Sequence, residues 1–135
     1  MKKTALLLLA CALWVAPVAA QQSVIVPATT TTQAIAGTAS GTTTRIITGA
    51  TGKSIYITAI AIIPVATASV TLVTGTGTNC GTSASSALGP LIFATGQVLN
   101  YGDGYGTVFI VPSATDLCIN ITAAAAPGTV AFAQF

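Results

Sequence analysis

At 135 residues the chain has room for one domain, and nothing in its spacing suggests two. It is 53% hydrophobic and 4% charged, with four basic residues, two acidic residues and no histidine. That composition argues against a broad electrostatic footprint for nucleic acid, and it withholds most side chains from which acid–base pairs and metal sites are built.

The chain opens on Met1-Lys2-Lys3, continues through a largely apolar run to Ala16, and reaches the small residues Val18-Ala19-Ala20. This is the pattern of a secretory signal over residues 1–20, with cleavage after Ala20 and a secreted or cell-surface location. A membrane anchor is the first alternative, disfavoured because the apolar run is shorter than the roughly 20 residues of a spanning helix. Lipidation at Cys11 is the second, although apolar sequence continues past it to Val18. Cleavage leaves Arg45, Lys53, Asp103 and Asp116 as the only charged side chains, with no net charge among them. Such a neutral surface favours association, so a homo-oligomer or polymer is expected, with no stable membrane insertion once the signal is removed.

Residues 21–44 read as a threonine-rich arm or first strand, and residues 45–135 as the main β domain. Within the arm, residues 23–27 carry Val24, Ile25 and Val26, and residues 28–41 read as an extended arm or loose loop. Further strands are expected at 45–48, 54–63, 69–74, 91–94, 97–101, 107–111, 117–122 and 129–135. Strict alternation over 54–63 would put Ile55, Ile57, Ala59, Ala61 and Ile63 on one face, with Tyr56, Thr58, Ile60 and Ile62 on the other. Both faces are apolar toward Ile63, which implies burial on two sides or contact with another chain. Ile60 and Ile62, together with Val24 and Val26, are therefore candidate assembly contacts. Residues 75–89, containing Cys80, read as a polar loop. The helix formers at 123–126 stop after about one turn at Pro127-Gly128.

Short strands separated by glycine and proline, with no long helical stripe, predict an all-β fold. The expected architecture is an antiparallel β-sandwich or jelly roll of about eight short strands with one disulfide. A barrel is a further possibility, but few segments have the roughly 9 to 11 residues a transmembrane strand requires. Cys80 and Cys118 are the two cysteines left after cleavage, an even count that in an exported chain implies one bridge. Two buried free thiols are the alternative; a catalytic thiol has no histidine to activate it.

Two stretches invite a reading as sites. TGATGKS at 48–54 ends like a phosphate-binding P-loop, but Ile47 stands where the first glycine belongs and a β pattern follows where a helix is needed. A hairpin turn that leaves Lys53 in solvent is expected instead. NYGDGYG at 100–106 surrounds Asp103 with three glycines and with Tyr101 and Tyr105. It reads as a glycine-rich turn, with contact to a protein or to a cell-surface glycan as the functional alternatives. Calcium is disfavoured because Asp103 has no acidic neighbour in sequence. Asn120-Ile121-Thr122 matches a glycosylation acceptor, without consequence if the export signal is bacterial. No catalytic residues, cofactor or metal are expected, and the chain is not read as an enzyme.

TGKSIYIT at 51–58, TGTGTNCGT at 74–82 and GDGYGTVFIVPSATDLCINIT at 102–122 resemble small two-cysteine β-sandwich proteins encoded in tailed-phage structural gene clusters. In those sequences a GKSIYVT strand, a GTGTxCGT loop and a P-x-x-x-x-LC segment recur. Gly52, Lys53, Cys80, Pro112, Leu117 and Cys118 match them, and the likeness runs from Gly49 onward. The resemblance implies a β-sandwich and a surface or host-contact role. The chain departs from it by its export signal and threonine-rich arm, which sets export against incorporation into a virion. The expected function is thus an exported, non-enzymatic structural protein that self-associates into a filament or surface assembly, with donation of its N-terminal strand as a candidate mode of contact. The alternative is a phage virion surface or host-recognition module that binds carbohydrate.

Overall fold

The computed structural model describes residues 30–37 and 41–135. The strands are β1 (Thr31–Ile35), β2 (Thr43–Ile47), β3 (Ile55–Ile62), β4 (Ala68–Thr76) and β5 (Thr82–Phe93). They continue with β6 (Leu99–Tyr101), β7 (Phe109–Val111), β8 (Asp116–Thr122) and β9 (Gly128–Gln134). One sheet has the order β1-β9-β3, with β6 and β7 sharing the far side of β3; the other has the order β2-β8-β4-β5. Among the described strands only the β4–β5 and β6–β7 connections stay within a sheet, and the others cross the sandwich. This is jelly-roll winding, and all pairings are antiparallel. Isoleucine, valine and leucine from both inner faces meet in one core.

The two-sided apolarity of β3 has an internal cause. A register shift between Ile57 and Ala59 inserts Thr58 as an extra residue opposite β9. The bulge turns the second half of the strand over, so Ile55, Ile57, Ile60 and Ile62 all face the core, each no more than 1% exposed. Strict alternation is therefore replaced by two inward-facing pairs. Thr58 is itself fully buried, and its hydroxyl donates to the Ala131 carbonyl at 3.2 Å, which satisfies the polar group the bulge brings inside.

Residues 75–89, expected as a polar loop, are mostly strand. β4 runs on to Thr76, and β5 pairs with it from Thr82 opposite Thr76 to Phe93 opposite Ala68, through three register shifts. The first five side chains of β5 are exposed serine, threonine and alanine, so no apolar alternation betrays the strand. Between the two strands, a short 3₁₀ turn at Thr78–Cys80 delivers Cys80 to the outer face of the second sheet, where it is bonded to Cys118 of β8. Both cysteines are buried. The disulfide thus fastens a hairpin tip to the central strand beside it.

Part of the tract expected as arm or loop is also strand, since β1 pairs with β9 from Thr31 opposite Phe132 to Ile35 opposite Gly128. Ile35 is its one buried strand residue and joins the core. The turn at 50–53 links β2 to β3 across the two sheets, so it is a tight crossover and not a hairpin between paired strands. The expected export signal, Cys11 and the segment bearing Val24 and Val26 lie outside the described residues.

Candidate functional site

The glycine–tyrosine loop follows from the bulge in β3. Bulging leaves the Thr58 carbonyl free of the ladder, and the Gly104 N–H donates to it at 3.2 Å. Gly102 lies against the same carbonyl with φ +85°, and a Cβ there would collide with it, so glycine is required at that position. Asp103 accepts from the Tyr105 N–H at 3.0 Å, closing a local turn with its own carboxylate. Within this fixed backbone Tyr105 is 88% exposed and Tyr101 is 49% exposed. The loop brings Tyr101, Asp103 and Tyr105 together in chain order, with both rings turned toward solvent, while Asp103 is already engaged by its own turn.

Near the start of β8, Asp116 and Arg45 engage each other and the neighbouring backbone. Asp116, at the start of β8, is largely buried; it accepts from the Gly49 N–H at 2.8 Å and from the Arg45 guanidinium at 3.3 Å. Arg45 is half-exposed, so this pair contributes geometry more than energy. The P-loop-like stretch is closed in the same way. Lys53 N–H donates to the Ala50 carbonyl at 3.1 Å and Gly52 N–H to the Ser113 hydroxyl at 3.1 Å, with Gly52 at φ +75°. The chain then enters β3 with no helix to orient amides toward a phosphate.

No family model, curated protein or solved structure matches this chain.

The remaining candidates divide by burial. Ile60 and Ile62 lie in the core, 1% and 0% exposed, and offer no surface to a partner. The large apolar residues that do reach the surface include Ile63, Val65, Ile92 and Val98. Ile62 pairs with Leu99, so Ile63 and Val98 leave adjacent strands together, and a shallow hollow beside Ile63 and Val65 is walled by Pro127 and Gly128. Another hollow joins Ile92 to Val98. Periodicity missed these residues because they stand where ladders end; the available signal was Ile63-Pro64-Val65, two large apolar residues around a proline that cannot continue a strand. Among the described residues no group of three or more His, Cys, Asp or Glu side chains is placed to hold a metal ion. No described helix is long and apolar enough to cross a membrane.

Proposed function

We propose that the protein is an exported, non-enzymatic structural subunit that associates with copies of itself into a filament or surface assembly. The observation that carries this reading is the run of exposed Ile63, Val65, Val98 and Ile92 where β3 and β5 leave their sheets, on a surface almost without charge. Contiguous apolar surface of this kind marks association sites, and little net repulsion opposes contact. Jelly-roll winding adds support by analogy, since it recurs in capsid and lectin domains, both of which act through their surfaces. Sedimentation velocity on the exported protein over a wide concentration range tests the reading. Regular oligomers that persist in high salt are expected, because apolar contacts are not screened. A monomer at every concentration overturns it.

A second reading rests on a different observation, the 88% exposure of Tyr105 on a loop whose backbone is held by Thr58 and Asp103. Rigid exposed rings are the usual platform for sugar stacking, which suits a virion surface or host-recognition module. Glycan-array binding lost on Tyr101→Ala and Tyr105→Ala would favour that role; no binding by the unaltered protein would count against it.

A further inference from the structure

We propose that the outer face of the β1-β9-β3 sheet packs on the same face of a second copy of this chain, an inference that rests on the self-association reading and names its contact. The bulge in β3 explains why four isoleucines face the core, but it leaves Tyr56, Ala59, Ala61 and Ile63 on the other side. Residues directly opposite in a ladder share a face. Tyr56 lies between Ala133 of β9 and Ile110 of β7, and Ala59 lies opposite Ala131. Thr129 and Asn100, opposite Ala61, are polar but uncharged. The face is open, since Ile110 and Ile63 are each about half exposed, as is Phe135 beside Tyr56. The second sheet supplies the contrast: its outer face sets Thr43 and Thr71 on either side of Asn120, pairs Thr122 with Ser69, and carries the Arg45–Asp116 pair. That is the polar exterior expected of a sheet with one side in water. The strands of the first sheet bear no charged side chain at all.

An uncharged face selects an uncharged partner, because a charge buried against it loses its hydration without compensation. Shape narrows the choice to another β face. Alanine at the centre lets two sheets approach closely, in the same face-to-face packing that builds the core. At one end of the face the rings of Tyr56 and Phe135 are stacked, 4.3 Å between centroids and 1° between planes, which makes an anchor ordered before contact. At the other end Ile63 and Val98 stand just beyond the Ile62–Leu99 pair. The same face of another copy meets both requirements. Eight residues along β3 and a width of four strands give about 500 Å² per copy and about 1,000 Å² for the pair, which reaches the lower bound of a specific interface. A pair built this way is closed, so growth into a filament takes a separate surface, for which exposed Ile92 on the other sheet is the candidate.

Hydroxyl-radical footprinting of the full exported protein over a concentration series tests the contact, with sedimentation velocity on the same samples. As oligomers form, oxidation of Tyr56, Phe135 and Ile110 should fall by about threefold or more because the contact excludes water, while that of Tyr105 stays constant. A pair of substitutions gives an independent measurement. Ala131→Lys should weaken association by about a hundredfold, since it desolvates an ammonium at the centre of the face. Thr71→Lys, on the outer face of the other sheet, should leave association unchanged. Urea titration checks that both variants fold, and if Ala131→Lys does not, the footprint of the unaltered protein decides alone. Oligomers that leave Tyr56, Phe135 and Ile110 as oxidised as before, or that respond alike to the two substitutions, overturn the contact and leave the self-association reading standing. Rings already protected in the monomer overturn it as well, because a segment of the same chain then covers the face. A protein that never assembles removes both readings.

Discussion

β3 and β5 solve the problem of being a strand in opposite ways. β3 is paired along both sides, by β9 on one and by β6 and β7 on the other, and buries four isoleucines. β5 is longer, twelve residues against eight, yet it pairs with β4 alone and exposes its first five side chains in succession. Side-chain burial therefore specifies β3, while backbone pairing and a covalent tether at the hairpin tip hold the first half of β5, whose second half packs Leu88, Leu91 and Phe93 against the core. Even irregularities differ in meaning. The one bulge in β3 keeps every isoleucine inside and frees a carbonyl for the glycine–tyrosine loop, whereas the three register shifts along β5 accompany its passage from exposed serine and threonine to Leu88 and Leu91 against the core.

The largest expected effect comes from attacking β3. Ile57→Ala removes a fully buried side chain from the strand at the centre of its sheet. The loss should be about 2 to 5 kcal/mol by urea unfolding, the range for deleting a large aliphatic side chain in a close-packed core. For a small domain that is enough to populate the unfolded state. A loss below about 1 kcal/mol would mean that the core collapses around the gap and that β3 is not the better-packed strand.

Next in size is the tether. Replacing Cys80 and Cys118 together by serine reopens a loop whose ends are 38 residues apart. The chain-entropy model gives such a closure about 3 to 4 kcal/mol, usually reduced in practice. The comparison is sharpened by where protection is lost. Amide exchange should rise through residues 82–87 before it rises in β3, because the first half of β5 has little buried apolar surface to hold it locally. Equal acceleration in both strands would show that the bridge supports the whole sandwich and not its outer hairpin.

The same contrast explains what could be read from the sequence. β3, β8 and β9 were legible because apolar residues recur there at strand spacing, and the even count of cysteines after the expected cleavage pointed to a bridge before any geometry was known. The first half of β5 was hidden, since Thr82 to Ala87 contain only small and hydroxylated residues, which read equally as loop, while its end was read as the strand at 91–94. β1 was obscured for a similar reason, with four exposed residues before Ile35. The bulge at Thr58 carries no composition signature, and without it Ile60 and Ile62 fall on the wrong face. Tyr101, Asp103 and Tyr105 were visible as a motif. Their anchoring to a carbonyl forty-odd residues earlier was not, because it depends on that bulge.

The smallest effect should come from Ile92, which lies on β5 opposite Ser69 and is 79% exposed despite being one of the larger aliphatic side chains in the strand. Ile92→Lys puts a charge where the side chain already meets water, so the unfolding free energy from urea titration should change by no more than about 0.5 kcal/mol. An intact edge ladder also tolerates lysine, which natural edge strands use to repel unwanted pairing. If stability falls by more than about 1 kcal/mol, Ile92 packs against its own chain and β5 depends on side-chain burial after all. If stability holds while oligomers dissociate, the exposed face of β5 is apolar for the sake of a neighbour, and the division between a strand built for the core and a strand built for contact is the right one.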